Sequence, residues 1–170
     1  MPKLTGIVSI GPDAAIGANG CLLYQSPVDM AFFCGFTQGK LVVVGRKTAE
    51  TILGTLPGRD VLCVSRSPDP FKNTPTPKCV RGVWDGVGGL CSLEKIARGR
   101  EIVIAGGGEI YQMFAGKYDQ FYVTVHPSQY DGRYGPPDAF FGEECLGTLD
   151  ACQKILSNED FVVYRYYRAS

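Results

Sequence analysis

The stretch IVIAGGGEIY at residues 102–111 decides the fold. Its β-branched run predicts a buried strand over 101–105, its three glycines predict a tight turn, and residues 109–115 are typical of a short helix. Glycine allows a backbone to approach an anionic group closely, and the free N–H groups at the start of a helix attract anions. The stretch therefore predicts a strand–turn–helix unit with an anion site at the carboxyl end of its strand.

Two further strand ends carry similar chemistry. The stretch VVVGRKT at residues 42–48 closes a strand over 41–45 with Gly45 and continues with two cations and a hydroxyl. Ser65 and Arg66 follow a third strand over 61–65. Neither of the two glycine-containing stretches, at 42–48 and 102–111, is a dinucleotide fingerprint or a Walker loop, and an ordinary glycine-rich turn explains either one equally well alone. Two such turns in one small chain favour a dinucleotide, and the third strand end favours NADPH over NADH.

The remaining pattern predicts an α/β fold. Strands are predicted over 4–10, 120–126 and 161–168, helices over 27–37, 47–53 and 92–98, and long loops over 11–26 and 130–142. Alternation of strands and helices implies a mainly parallel sheet with helices on both faces, which binds ligands at the carboxyl ends of its strands. The 170 residues contain no repeat and no change of composition, so a single domain over 1–170 is expected.

Composition excludes several classes of function. Lys+Arg and Asp+Glu number 17 each, so no overall charge favours nucleic acid or an anionic membrane surface. The apolar runs are far shorter than the roughly 18 residues of a membrane helix, and no secretory signal is present, so a cytoplasmic location is expected. Seven cysteines without a CxxC pair predict free thiols and no metal site. The single histidine, His126, is interpreted as a residue at a strand end, not a metal ligand.

The acidic residue Asp29 lies in the apolar segment PVDMAFF at residues 27–33, where Ser26 is the expected N-cap of a helix. One reading is a solvated acid at the start of that helix. The other is a carboxylate in an apolar cleft, where burial would raise its pKa and paired N–H donors of a flat heterocycle would bind it. The segment alone does not decide between them.

Seven segments together resemble the dihydrofolate reductase family over nearly the whole chain. They are Ile16-Gly17, Pro27-x-Asp29-x-x-x-Phe33, Val44-Gly45-Arg46-Lys47-Thr48-x-Glu50, Leu56-Pro57-Gly58-Arg59 with Val64-Ser65-Arg66, Gly106-Gly107-Gly108-Glu109-Ile110-Tyr111, Tyr122-Val123-Thr124 and Asp138-Ala139-Phe140-Phe141. The resemblance implies a twisted, mostly parallel eight-stranded sheet in one domain. It also implies NADPH-dependent reduction of 7,8-dihydrofolate to tetrahydrofolate for one-carbon metabolism, by hydride transfer to pterin C6. A monomer open to antifolate inhibitors is expected.

The resemblance also assigns residues to roles. Asp29 would bind the pterin amino group and ring N–H, Thr124 would support that carboxylate, and Tyr24 would organise water near the pterin. The other substrate-binding residues would be Ile7, Met30, Phe33, Ile52, Leu56, Arg59 and Tyr111, with Arg59 on the glutamate tail. The cofactor-binding residues would be Val8, Ser9, Ile16, Gly17, Gly45, Arg46, Lys47, Thr48, Ser65, Arg66, Gly106, Gly107, Gly108, Glu109 and Ile110.

Some positions depart from the family pattern. Leu23-Tyr24 stands where the family usually has Pro-Trp, which indicates a divergent lineage such as a viral or phage one. A related pyrimidine reductase of riboflavin synthesis would share the sheet and NADPH but should lack the Pro-x-Asp helix and Leu-Pro-Gly-Arg. A catalytically silent nucleotide-binding protein would be indicated by substitution of Asp29 or Arg59. Both motifs and both residues are present, which favours the reductase.

Overall fold

The computed structural model describes residues 3–24, 26–50 and 60–169. Its elements, in chain order, are β1 (Leu4–Ile10), β2 (Ala15–Ala18), β3 (Cys21–Leu22), α1 (Pro27–Phe36), β4 (Leu41–Gly45), α2 (Arg46–Thr48), β5 (Asp60–Val64), β6 (Val80–Trp84), α3 (Gly89–Ala97), β7 (Ile102–Ile104), α4 (Gly108–Met113), β8 (Gln120–Val125), β9 (Ala139–Phe140), β10 (Ala151–Ser157) and β11 (Val162–Tyr167). Short 3₁₀ helices occupy Pro12–Ala14 and Glu143–Cys145.

Eight of the strands form one sheet in the order β10-β11-β8-β1-β7-β4-β5-β6. Within the run β8-β1-β7-β4-β5-β6, each strand pairs in parallel with its neighbours. Strand β11 pairs antiparallel with both β8 and β10. The predicted eight-stranded, mostly parallel α/β sheet is therefore confirmed. Because β1, β7 and β4 are neighbours, the segments that follow them meet at one edge of the sheet.

Helices cover both faces of this sheet. In β4, Leu41 and Val43 face a cluster that includes Leu93 of α3 and Ile110 of α4. Val42 and Val44 face the opposite cluster, against which Phe33 of α1 packs. All four β4 residues are buried, which explains their continuous apolar run, since a central parallel strand has no solvent face. Within the described residues, no helix is long and apolar enough to cross a membrane.

The structure differs from the sequence-based expectations at several elements. The predicted loops over 11–26 and 130–142 contribute a three-stranded sheet in the order β3-β2-β9. Strands β6 and β10 were not predicted. The helix expected over 92–98 runs from Gly89 to Ala97 and begins after Gly88, because positive φ values at both glycines turn the chain into it. None of the seven cysteines, all of which lie in the described residues, forms a disulfide.

Candidate active site

Asp29 lies in the first turn of α1, where the predicted cap is present. The Ser26 hydroxyl accepts a hydrogen bond of 3.3 Å from the Asp29 backbone N–H, and Pro27 occupies the first helical position. Pro27 supplies the required φ and has no N–H to leave unpaired. Phe32 and Phe36 of the same helix pack against Tyr122 of β8. The aromatic packing fixes the second half of α1 against β8, and the cap fixes its first turn, which carries Asp29.

Two neighbouring strands supply hydroxyl donors to the Asp29 carboxylate. Ser9 of β1 and Thr124 of β8 are partners in the parallel register, so their side chains lie side by side on one face. The Ser9 hydroxyl donates to Oδ2 of Asp29, and the Thr124 hydroxyl donates to Oδ1 at 3.2 Å. Thr124 therefore occupies the supporting position assigned to it. Ser9, whose assignment to the nicotinamide stays a prediction, contacts the carboxylate through its hydroxyl.

His126 joins this site, although sequence reasoning placed it at an ordinary strand end. Its Nε2 lies 3.7 Å from Oδ2 of Asp29, and its side chain is 4% exposed against 19% for Asp29. The available signal was the two-residue period of a strand, which puts Thr124 and His126 on the same face. That period extends one residue beyond β8, where the His126 backbone N–H still donates to the Ile10 carbonyl at 2.9 Å.

The pKa of Asp29 is lower than its ordinary value. Burial raises this pKa. Side-chain hydrogen bonds to the carboxylate and electrostatic attraction to the His126 imidazole lower it, and together they outweigh burial. The hydrogen bonds come from the Ser9 and Thr124 hydroxyls, and the His126 imidazole acts on the carboxylate from 3.7 Å. The expectation that burial would raise the pKa is therefore wrong in its net sign, because the sequence does not show how many donors converge on the carboxylate.

Tyr24, the residue in the family's tryptophan position, is fixed at both ends. Its ring stacks on the His126 ring with centroids 4.5 Å apart and planes 3° apart. Its hydroxyl donates a 2.6 Å hydrogen bond to the Ser128 carbonyl. The polar tip expected to organise water near a pterin is thus engaged with the backbone.

Tyr111 connects the carboxylate site to the glycine turn. Its hydroxyl donates to the Ile7 carbonyl in β1 at 2.7 Å, and burial raises the pKa of this phenol strongly. A Cβ on Gly106 would lie 3.3 Å from the same hydroxyl oxygen. Tyr111 is buried, and so is Ile7, whereas Met30 and Phe33 of α1 are half-buried.

The glycine turns after β4 and β7 meet, as the sequence predicts. The Gly45 backbone N–H donates to the Gly106 carbonyl at 2.9 Å. A Cβ on Gly106 would lie 3.6 Å from the Thr48 hydroxyl oxygen, and one on Gly107 would lie 3.7 Å from it. Side chains at these positions would fill the space between the two turns. The backbone groups of the two turns and the Thr48 hydroxyl therefore lie together at the carboxyl ends of β4 and β7.

A cleft of about 1020 Å³ joins the third strand end to the glycine turn. Its lining residues are Val64, Ser65, Arg66, Ser67, Asp85, Gly108, Glu109, Ile110, Gln112, Met113, Phe140, Phe141, Gly142 and Glu144. The wall contains the hydroxyls and the Arg66 cation after β5 together with the first turn of α4. The volume is within the range of small-molecule and cofactor sites.

Other predicted cofactor residues lie apart from this cleft. The Arg46 guanidinium pairs with the Glu50 carboxylate at 3.1 Å, so part of its charge is neutralised within α2 and the residues after it. Lys47 is exposed next to it. Val8 and Ile16 are buried in the core, and Gly17 pairs with Leu22 and Ala139 in the small sheet.

Three predicted substrate residues, Ile52, Leu56 and Arg59, lie outside the described residues. Among the residues that are described, no cluster of His, Cys, Asp or Glu has the arrangement of a metal site. The site therefore consists of a carboxylate with three polar neighbours, a glycine turn beside it, and a cleft that continues along the sheet edge.

Comparison with known proteins identifies the family. The family model for dihydrofolate reductase matches residues 3–143. The dihydrofolate reductase of Neisseria meningitidis serogroup A is 35% identical over 112 residues, covering 65% of this chain and 64% of that protein. That of Neisseria gonorrhoeae is 32% identical over 144 residues, covering 84% and 81%.

The fold agrees with a solved structure. A dihydrofolate reductase from Enterococcus faecalis, complexed with NADP(H) and RAB-propyl, superposes with a TM-score of 0.76 at 22% identity and covers 99% of this chain and 97% of that chain. This likeness concerns the fold. The family model, in contrast, matches the residues that build the strand ends and α1. This chain belongs to the dihydrofolate reductase family.

Proposed function

We propose that this protein reduces 7,8-dihydrofolate to tetrahydrofolate with NADPH. The observation that carries the proposal is the Asp29 carboxylate, which Ser9 and Thr124 orient from the ends of two neighbouring strands. Membership of the family supports the same activity. A carboxylate held by hydroxyl donors on one side can accept two N–H bonds from a flat heterocycle on its exposed side.

In this proposal, Asp29 binds the amino group and a ring N–H of the pterin. An ionised carboxylate suits that task, which agrees with its lowered pKa. NADPH, when bound, supplies the hydride that reaches pterin C6. The protein's contribution is mainly to position the two rings, and a water molecule delivers the proton to N5, because Asp29 holds the opposite edge of the ring. The segment over 11–26 would exclude bulk water.

The cofactor would lie along the strand edge. Gly45, Thr48, Gly106 and Gly107 form a backbone cradle in which added Cβ atoms would occupy the space of a phosphate. The cleft next to it has the size for the rest of a dinucleotide, with Ser65 and Arg66 available to a 2′-phosphate. These residues fit NADPH by their geometry and chemistry.

The apolar substrate slot would be lined by Ile7, Met30 and Phe33. Its other predicted members, Ile52 and Leu56, and the predicted pairing of Arg59 with the glutamate tail stay predictions from the sequence. We propose further that the protein is one domain and acts as a cytoplasmic monomer on small molecules, including antifolate inhibitors. Size-exclusion chromatography with light scattering tests the monomer directly.

The deciding experiment follows absorbance at 340 nm after mixing the protein, NADPH and dihydrofolate. A continuous loss that requires all three components is expected. The matched control replaces dihydrofolate with the pyrimidine substrate of the related reductase and should show no loss. Oxidation of NADPH with the pyrimidine alone, or with neither substrate, would contradict the proposal.

A further inference from the structure

His126 has an unusual environment for a histidine outside a metal site. Its side chain is 4% exposed, and its Nε2 atom has no hydrogen-bond partner among the residues that the structure describes. Buried polar side-chain atoms are nearly always paired, so an unpaired ring nitrogen calls for an explanation. The polar group that it approaches is the Asp29 carboxylate, with 3.7 Å between Nε2 and Oδ2. At that separation an opposite charge has a substantial effect in a partly dry site.

The ring of His126 is held in place from two sides. Tyr24 stacks on it, and Phe161 lies against it with centroids 5.5 Å apart. Tyr24 is itself fixed by its hydrogen bond to the Ser128 carbonyl. Rotation of the imidazole away from Asp29 would disrupt both aromatic contacts. The nitrogen is therefore directed at the carboxylate by packing rather than by chance.

The charged and titratable groups around this ring are few. From α1 the carboxylate of Asp29 faces it, and from the segment after β3 the phenol of Tyr24 stacks on it. Phe161, which precedes β11, contributes an apolar ring, and Ser9 and Thr124 contribute neutral hydroxyls to the same carboxylate. Among the described residues, Asp29 is thus the acidic side chain that faces this ring.

We propose that His126 is a positioning residue that pairs with Asp29 from the buried side of the site and acts on the substrate only through that carboxylate. The inference rests on the proposed function. The atom of Asp29 that faces Nε2 is Oδ2, at 3.7 Å. The exposed fractions of the two side chains agree with this arrangement. The Asp29 side chain is 19% exposed to solvent, whereas the His126 side chain is 4% exposed and lies buried behind it.

The pair can be tested without activity because His126 is the only histidine in the chain. In protein freed of any histidine tag, the imidazole Cε1–H signal in a ¹H–¹³C spectrum reports on this ring without assignment. At one fixed pH, we expect the signal to move in Asp29→Asn, because the carboxylate 3.7 Å from Nε2 loses its charge. A signal that stays at its wild-type position would overturn the pairing.

A matched control separates the pair from general loss of negative charge. Asp131 is an exposed carboxylate five positions along the chain, paired with Arg133 at 3.4 Å. Asp131→Asn removes the same charge without touching the site, so the His126 signal should stay at its wild-type position. An equal displacement of the signal in both variants would contradict the specific pair.

Two substitutions of His126 test the effect on Asp29. His126→Phe keeps the aromatic packing and removes both nitrogens, whereas His126→Gln keeps an N–H donor near the position of Nε2. Without its partner, Asp29 should become protonated at a higher pH. In the pH profile of kcat/KM for dihydrofolate, the acidic fall should therefore shift to higher pH by about one pH unit in His126→Phe. His126→Gln should shift it by a smaller amount. An unchanged acidic fall in both folded variants would overturn the proposal.

These readouts keep the two proposals apart. If the wild-type protein shows no dihydrofolate reduction, the proposed function fails, but the His126 signal still decides whether the pair exists. If the wild-type enzyme is active and Asp29→Asn leaves the His126 signal in place, the pairing fails and the function stands. The signal also remains decisive if a His126 variant does not fold.

Discussion

At the scale of single residues, the charge of Asp29 is central to the proposed activity. Asp29→Asn removes the carboxylate but keeps the shape of the side chain, so the variant should fold. It should lose most of its dihydrofolate reductase activity near neutral pH, because an amide cannot accept two N–H bonds as a charged carboxylate does. Steady-state rates with NADPH and dihydrofolate measure this, and activity within about threefold of wild type would contradict the role.

The same carboxylate should contribute to stability in a pH-dependent way. Its folded-state pKa lies below the ordinary value of 3.8, so folding favours the ionised form. That contribution is complete above pH 3.8 and is lost as the pH falls through the lower folded-state value. The difference in free energy of unfolding between wild type and Asp29→Asn should therefore shrink below pH 3.8. Urea unfolding at several pH values measures it, and a difference that grows with acid would contradict the assignment.

Arg66 should determine much of the preference for NADPH over NADH. It is exposed on the wall of the cleft, whereas the other predicted cation, Arg46, is paired with Glu50. A charge-assisted hydrogen bond to phosphate contributes about 1.5–3 kcal/mol, so Arg66→Ala should reduce the ratio of kcat/KM values by about tenfold or more. The wild-type preference should be at least about a hundredfold if two such contacts form.

The control for Arg66 is Arg81, another exposed arginine, which pairs with Asp60 at the opposite end of β5. Arg81→Ala should leave the cofactor ratio unchanged. Equal efficiency of NADPH and NADH in the wild type, or the same loss in both variants, would show that Arg66 does not meet the 2′-phosphate.

At the scale of elements, the glycine turn after β7 should tolerate no side chain. Gly106 has a φ of +121°, and an added Cβ would lie 3.3 Å from the Tyr111 hydroxyl oxygen. Gly106→Ala should lower the free energy of unfolding by about 1–3 kcal/mol. It should also weaken NADPH binding, which isothermal titration calorimetry measures.

Gly35 provides the matched control, because it lies in α1 and a Cβ there would meet no atom of the described residues within 4 Å. Gly35→Ala should keep or raise stability, since alanine favours a helix. If Gly106→Ala behaved like Gly35→Ala in both stability and NADPH affinity, the turn would not have the role proposed for it.

The elements that sequence could predict are those with strong local signals. The buried run of β4, the capped start of α1 and the glycine turn each carry such a signal, and each is present. β10 was missed because nearly all of its residues are exposed, which leaves no apolar alternation to read. β6 was missed because Arg81 and Gly82 interrupt a short edge strand.

The candidate site was predictable only in part, for a different reason. Asp29 and Thr124 carry recognisable motifs, but the placement of Ser9 and His126 beside the carboxylate depends on the register between β1 and β8 and on the packing of Tyr24. These are long-range contacts, and no local pattern contains them. The net sign of the Asp29 pKa shift depended on the same contacts.

At the scale of the whole molecule, one hydrophobic core connects the Asp29 carboxylate site with the cleft beside the glycine turn. The larger cluster of buried side chains includes Val8 of β1 and Ile104 of β7, next to the carboxylate and the glycine turn, together with Trp84 of the edge strand β6. Loss of packing at one site should therefore disturb the other. We expect a single cooperative unfolding transition, as for most domains of this size.

NADPH should shift that whole transition upwards. A ligand at about 100 times its Kd stabilises the native state by about 2.7 kcal/mol, which corresponds to an increase in Tm of about 5–10 °C for a chain of this length. Differential scanning calorimetry with and without NADPH measures it, and NADH at the same concentration should shift the Tm less if Arg66 recognises the 2′-phosphate. Because the cleft and the Asp29 site share one core, the shift must appear in one peak. Two peaks, of which NADPH moves only one, would contradict a single domain and would separate cofactor binding from the carboxylate site.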